Sequence, residues 1–396
     1  MDFTLSTDQT LIRDSVDRFV ADNYSQAARH AIVSSPDGFS REHWAKFASL
    51  GWLGIGFPEE RGGFGGTPVE TMIIAEAFGR GLVVEPFLSS VVLAGTALVY
   101  GGTAKAHHDL LEAMIGGEKL LTFAYAEPGS RYDYTLVETR ARADGSDFLI
   151  DGTKLAVPFG AAADTYVVTV RTSGEKHDRH GISLVLVDRD TPGLTRRDYR
   201  TVDDRRASTL KFDGVRVPAG NILGELHEGL PIVERVLDAG LGALAAEAVG
   251  NTSVLLRRTV EYLKTRKQFG VPIGSFQALQ HRAVDMLIQV ELARSITFYG
   301  TMALVADGDP TERMRALSAT KVQIARSGRI VGESAIQLHG GIGMSEEYMV
   351  GHYFKRISMI ELELGDADFH LRRYVALEKV DGTAERSSAG HAVVHA

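Results

Sequence analysis

Residues 359–370, MIELELGDADFH, set four carboxylates, Glu361, Glu363, Asp366 and Asp368, into a stretch that otherwise reads as apolar core. A carboxylate in an apolar pocket holds its proton more tightly than in water and can act as a general base toward carbon, so the segment raises the question of proton abstraction. A further carboxylate, Glu247, stands alone in the apolar run LGALAAEAVG, where it needs a partner or a chemical task. Two readings stay open for Glu247: a base or substrate contact, or a buried or interface hydrogen bond. Glu361 and Glu363 alternate with Ile360, Leu362 and Leu364, which predicts side chains turned from a buried face and solvated or ion-paired. Asp366 and Asp368 precede a final helix, where a carboxylate caps exposed amides at the positive end of the dipole.

Other constellations carry less chemistry. Gly240, Gly242 and Ala245 spell GxGxxA, but the preceding VERVLDA has helical spacing, so these are helix-packing residues and no dinucleotide turn is expected. His107 and His108 are neighbours about 100° apart on a helix, which rules out joint chelation and predicts surface residues. HExxH, GxSxG and GxxxxGK[ST] are absent. With no cysteine, thiolate metal sites, iron–sulfur clusters and cysteine nucleophiles are excluded. No metal site is expected, and redox chemistry has to come from an organic cofactor.

The elements that must position these residues follow from periodicity. A chain of 396 residues, 44% hydrophobic and 24% charged, supports several packed domains. Helical spacing runs from 1 to 118, with Ser6 as N-cap, Ile12, Val16, Phe19 and Val20 on one face, and further helices at 40–50, 67–79 and 103–116. GWLGIGFPEERGGFGGTP is a loop, with a phosphate-binding role only a weak reading because no strand precedes its glycines. From 119 to 225 the period changes to two, and LLTFAYA, LVETRARA, DFLIDGTKLAV, TYVVTVRT, ISLVLVDRD and STLKFDGVRV read as strands. Helices return over 226–381, at about 229–265, 276–306 and 311–339, with a short last helix near 367–380 and a mobile tail at 382–396. The expected fold is α+β multidomain: helical, β, helical.

A net charge of −8 without a basic run gives no footprint for nucleic acid or an anionic membrane surface. No run of about 18–20 apolar residues predicts a membrane span. MDFTLSTDQTLIRDSV has neither signal-peptide nor transit-peptide character, so a cytoplasmic location is expected.

Two C-terminal strings, YLKTRKQFGVPIGSFQALQHRAVDM and ESAIQLHGGIGMSEEYMVGHYFKR, resemble the RKxFGxxIxxFQ and QxHGGxGxxxE motifs of the acyl-CoA dehydrogenase family. The resemblance extends to GWLGIGFPEERGGFGG, AEPGSR and FDGVRVPAGNILGE, and so covers nearly the whole chain. It implies an acyl-CoA substrate, flavin adenine dinucleotide (FAD) at a subunit interface, an oligomer and an electron-transfer acceptor protein. It also implies that Arg266, Gln268 and Phe269 meet the pyrophosphate side of a neighbouring subunit's flavin, and that Gln337, Gly340 and Gly341 line its adenosine part. A guanidinium suits a diphosphate, and paired glycines allow close backbone approach.

The isoalloxazine half departs from the family. Phe123, Tyr125 and Ala126 precede Glu127 and Pro128, and Ala156, Val157 and Pro158 follow Lys154 and Leu155, so both ring-bonding threonines are missing. The family base is missing as well: with Gly365 aligned to the family glycine, Leu364 takes the place of the glutamate and Asp366 that of the threonine. The alternative base position, counted back from Arg266, falls at Gly240, and Glu247 lies seven residues on, two turns later on the same face. The chain therefore resembles either a working dehydrogenase whose base is Glu247, or the small subunit of hetero-oligomeric, pimeloyl-CoA dehydrogenase-like members, which completes a partner's FAD site without supplying a base.

Overall fold

The computed structural model describes residues 4–390, with side chains described as far as 378. The chain divides into two compact units, with the boundary between Ala243 and Leu244.

The first unit opens with α1 (Thr7–Asn23), whose Ser6 accepts from the amide of Gln9 at 3.1 Å while the Gln9 amide oxygen accepts from the Ser6 N–H at 3.0 Å. This reciprocal box satisfies two amides that a helix start leaves open. α2 (Gln26–Ser34), α3 (Arg41–Ser49), α4 (Pro68–Gly81), α5 (Thr96–Gly101) and α6 (Lys105–Ile115) complete the helical layer. α2 has no counterpart in the expected helices. A π-helical stretch, Phe87–Gly95, runs straight into α5.

The glycine-rich loop folds on itself: the amides of Gly63, Phe64, Gly65 and Gly66 donate to the carbonyls of Pro58, Gly54, Phe57 and Ile55 at 2.9–3.1 Å. These four glycine-loop amides serve the loop's own carbonyls and are not open to a phosphate. His107 is buried, its Nε2 2.9 Å from the Gly220 carbonyl, and His108 contacts Arg61. The expected exposure of the histidine pair therefore fails for His107, whose Nε2 is met by a long-range carbonyl.

The β layer is an eight-stranded sheet: β1 (Leu121–Ala124), β2 (Arg140–Asp144), β3 (Asp147–Pro158), β4 (Thr165–Arg171), β5 (Ile182–Asp188), β6 (Leu194–Arg200), β7 (Arg206–Pro218) and β8 (Ile222–Leu223). The order is β6-β7-β3-β2-β4-β5-β8, with β1 parallel beside β4. β4 and β5 are buried almost end to end, which their Val- and Leu-rich sequences permit. β3 and β7 lose register between Lys154 and Val157, where Ala156 has φ 51°. A bulge of this kind re-aims the residues that follow it.

Helix α7 (Leu230–Thr265) carries the GxGxxA residues within its buried stretch, so no strand precedes them. Its most apolar window would satisfy a membrane-span test by composition, yet 83% of that window is buried inside the protein.

The second unit continues with α8 (Gln277–Ala306), α9 (Pro310–His339), α10 (Met349–Leu362) and α11 (Ala367–Gly390). α10 replaces the expected alternation: residues 360–362 are helical, Ile360 is buried and Leu362 is 51% exposed. α11 runs beyond 380, and of the expected mobile tail residues 391–396 lie outside the described residues. Glycines let α10 approach α9, since a Cβ on Gly328 would stand 2.6 Å from Ile357 and one on Gly332 2.9 Å from Phe354.

One buried carboxyl ties the start of the π-helical stretch to α1 and α3. Glu85 accepts from the Tyr24 hydroxyl and from the Ser40 amide at 3.3 Å, and its Oε1 lies 3.3 Å from His43 Nδ1. Burial pushes the Glu85 carboxyl up from 4.5 to about 7, and burial also lowers His43. The folded chain therefore keeps a proton that the unfolded chain releases above pH 4.5, so stability falls as pH rises through that window and the loss is complete above about 7. At about 1.4 kcal/mol per pH unit the loss amounts to about 3 kcal/mol. Glu85→Gln is expected to flatten this dependence, and urea unfolding at about pH 5 and pH 8 checks it; a variant that still loses stability in parallel with the wild type would refute the assignment.

Candidate active site and cofactor-binding segments

In the second unit, Arg356 of α10 is 2% exposed and lies between two carboxylates. Its Nε and Nη2 donate to the two oxygens of Glu247 at 2.7 and 2.8 Å, and its Nη1 and Nη2 donate to those of Glu363 at 2.7 and 3.2 Å. Both pairs are fork to fork, the strongest form of this contact. Glu247 is as buried as its apolar sequence context requires, and its two oxygens face a guanidinium. The Glu247 side chain is 9% exposed and that of Glu363 28%, so Glu363 forms the outer side of the triad.

The same charges hold the turn between α10 and α11. Lys321 of α9, 2% exposed, donates to the carbonyls of Ile360 at 2.6 Å and of Glu363. Burial pulls the Lys321 ammonium down to about 7, with Glu363 acting against that and Arg356 adding to it. His370 of α11 is driven down to about 3, chiefly by burial, so its ring is neutral and its Nε2–H donates to the Leu364 carbonyl at 2.8 Å. Leu364 has φ 57° and Gly365 φ 108°, and a Cβ on Gly365 would stand 2.6 Å from the His370 ring. Asp366 accepts from the Phe369 amide at 2.7 Å and caps α11, while Asp368 lies in its first turn. Glu361 is ion-paired with Arg329. The four carboxylates of the opening segment thus divide into two ion-pair partners, one cap and one first-turn acid.

Elsewhere in this unit, Lys267–Gln268 and Val271–Pro272 form a small antiparallel hairpin. Its two-residue tip, Phe269 and Gly270, has φ 54° and 83°, as a tight turn between right-twisted strands requires. Arg266 and Gln268 are exposed, and Phe269 is 91% exposed. Gln337 is exposed at the end of α9, and Gly340 (φ 62°) and Gly341 form the turn after it; a Cβ on either glycine would meet open space. A free guanidinium, an amide and an uncovered glycine turn form a donor set that fits a dinucleotide's diphosphate and adenosine. Beneath the turn, the His339 ring stacks on Tyr262 at 4.5 Å and meets Tyr348 at 5.2 Å.

In the first unit, the two segments that depart from the family lie side by side. The Leu155 amide donates to the Ala126 carbonyl at 2.8 Å, and Thr122 donates to the Pro158 carbonyl at 2.7 Å. Phe123 and Tyr125 stack at 5.8 Å, Val157 is buried and Ala156 is exposed. This ledge offers a flat ligand apolar surface and backbone groups, with no side-chain hydroxyl at Ala126 or Pro158 and no backbone N–H at Pro158. Beneath it runs a buried polar core that the sequence did not announce: Lys154, Glu127 and Thr169 in contact, and beside them Arg171, whose guanidinium donates to the carbonyls of Thr135, Val137, Lys176, Asp178 and His180.

Three family models match the chain: acyl-CoA dehydrogenase, N-terminal domain, over residues 6–118; middle domain, over 122–215; and C-terminal domain, over 227–376. The chain is 32% identical over 380 residues to a probable acyl-CoA dehydrogenase, YngJ, of Bacillus subtilis (strain 168), covering 95% of this chain and 98% of that relative. Butyryl-CoA dehydrogenase from Megasphaera elsdenii superposes with a TM-score of 0.88 at 26% identity, covering 95% of this chain and 99% of that one. A chain of the ChsE4-ChsE5 complex from Mycobacterium tuberculosis superposes with a TM-score of 0.85 at 26% identity, covering 94% and 97%.

The triad generates a stability ordering. Arg356→Met leaves Glu247 and Glu363 without the guanidinium they share and is expected to lower stability by about 3–5 kcal/mol. Glu247→Gln keeps the Glu363 half of the contact and is expected to lower it by less. Thermal or urea melts of the two variants rank them, and a Glu247→Gln loss equal to that of Arg356→Met would reject a central role for the guanidinium.

Proposed function

Because the chain belongs to the acyl-CoA dehydrogenase family, we propose that it serves α,β-desaturation of an acyl-CoA thioester in an oligomer whose proton-abstracting carboxylate comes from a related partner subunit. FAD held there would supply the acceptor for the hydride that leaves the β carbon as the α proton is removed. The chain's own share is recognition: Arg266, Gln268 and Phe269 at the hairpin would meet the diphosphate side of a flavin, and Gln337, Gly340 and Gly341 its adenosine side. Tyr125, Leu155 and Ala156 would offer the ring an apolar ledge.

The observation that carries the reading is the state of the possible bases. Both oxygens of Glu247 receive N–H bonds from Arg356 and those of Glu363 do the same, and a guanidinium held this way favours the charged carboxylate and opposes proton uptake from carbon. Leu364 stands in the turn where the family glutamate is expected, with its backbone held by His370. A partner is supported by exposed apolar residues along one stripe of α8, Val284, Leu287, Ile288, Leu292 and Tyr299, each 45–55% exposed. The ChsE4-ChsE5 assembly is a precedent for a complex of two chains within this fold.

The rival reading is a self-sufficient enzyme with Glu247 as base. Purification of the chain alone, followed by addition of acyl-CoA, separates the two. The expected result is little bound flavin and no turnover until a related subunit is co-expressed; a yellow protein bleached by acyl-CoA on its own would overturn the partner reading. In the active assembly, Glu247→Gln is expected to leave turnover within a few-fold of wild type, whereas abolished turnover at unchanged flavin content would make Glu247 the base.

A further inference from the structure

The β unit holds a second buried ion pair, and its place in the chain points to a task. Lys154 is fully buried, and its Nζ donates to Glu127 Oε1 at 2.6 Å, Thr169 Oγ1 at 2.8 Å and the Tyr125 carbonyl at 3.3 Å. Glu127 accepts in addition from the amides of Glu138 at 2.7 Å and Thr139 at 3.1 Å. These contacts join the segment after β1, the entry to β2, the middle of β3 and β4. The carbonyl that Lys154 holds belongs to Tyr125, and the next amide along β3, that of Leu155, bonds the next carbonyl, that of Ala126. Directly after this double link, β3 bulges and exposes Ala156.

A pair of this kind is a poor device for stability alone. Two charges lose their hydration on burial, and apolar replacements of similar volume are often as stable or more so. The charged state is nevertheless defended: burial pulls Lys154 down to about 8, with Glu127 opposing and Arg171 adding to the fall, and Glu127, pushed up by burial, is brought below its ordinary value by Lys154 and the amides. What the pair supplies that apolar side chains would not is directional bonding, which fixes one register between residues 125–127 and 154–156.

We propose that Lys154 and Glu127 are positioning residues that set the spacing and register of the two backbone segments against which the flavin ring is held. The inference rests on the reading that FAD binds this chain's β unit through those segments. It predicts that disrupting the pair changes how flavin is bound even where the fold is retained.

The test uses the assembled holoprotein, with the related subunit if flavin retention requires it, and reads flavin affinity by dilution or dialysis together with the visible absorption band. Lys154→Met/Glu127→Leu removes both charges at similar volume; it is expected to melt close to wild type yet bind flavin roughly tenfold more weakly, with a displaced band, as misplacement of a binding group implies. Wild-type affinity and spectrum in that variant would overturn the proposal, since a purely structural pair would be replaced without trace. Should the double variant fail to fold, Thr169→Val, which removes one acceptor of the ammonium, is expected to move the band in the same direction by less, and an unmoved band would count against the proposal. A wild-type assembly that binds flavin only outside this chain's β unit, seen as unchanged flavin content when Tyr125→Ala and Ala156→Asp are introduced, would sink the underlying reading and the inference with it.

Discussion

A charged group taken out of water must be met by opposite charge or by several hydrogen-bond acceptors, because its lost hydration is worth many times the stability of a domain. Within each unit, much of the local geometry follows from buried cations, Lys154 and Arg171 in the first and Arg356 and Lys321 in the second. Arg356 is met by two carboxylates, Lys154 by a carboxylate, a hydroxyl and a carbonyl, Lys321 by two carbonyls, and Arg171 by five. Each binds backbone or side chains from separate segments, so each acts as a fastener in addition to the apolar packing and sheet pairing around it. Arg171 shows this most simply: the turn between β4 and β5 has few apolar residues, and its carbonyls converge on one guanidinium.

The same requirement limits the chemistry available. Glu247 and Glu363 share the Arg356 guanidinium, and Lys321 binds the backbone of the same turn. If Glu247 gained a proton, the bidentate contact would be lost and Arg356 would be left with Glu363 alone, so proton transfer to Glu247 would work against the interactions that place it. Catalytic carboxylates have the opposite surroundings, apolar and short of cations, which favour proton uptake. Glu85 has such surroundings, but it lies against α3 and serves the helical layer.

Much of the fold was legible because its elements are long and periodic. The spans of α7, α8 and α9 follow from a helical period held over thirty residues or more, and Ser6 signals the start of α1 through cap chemistry. β6 was not legible: LTRRDYR lies at the sheet edge with six of its seven residues exposed, so it lacks the apolar alternation by which a strand is read. α10 was misread locally because IELEL alternates, while the helix is set by Val350, Tyr353, Ile357 and Ile360, which are buried three or four residues apart. At the site, the isolation of Glu247 among alanines signalled a buried charge, but its partner lies 109 residues away, and no local pattern connects them. The buried cations were invisible for a related reason: Lys154, Arg171 and Lys321 are each one charged residue in an ordinary strand or helix, and only tertiary contact shows that they are inside.

The turn at 363–366 brings these strands of reasoning together. Its conformation is demanding: Leu364 occupies left-handed backbone space that a branched apolar residue enters at a cost, and Gly365 admits no side chain because of His370. Such a conformation persists only where the surroundings over-determine it, and here Lys321 and Arg356 hold Glu363 while His370 holds Leu364. An apolar residue in a turn held this firmly is a poor candidate for a lid or a mobile base. It is better suited to fixing a surface, against which another subunit's groups can be placed. The fasteners that engage Glu247 and Glu363 are the same ones that hold the turn at 363–366 in one conformation.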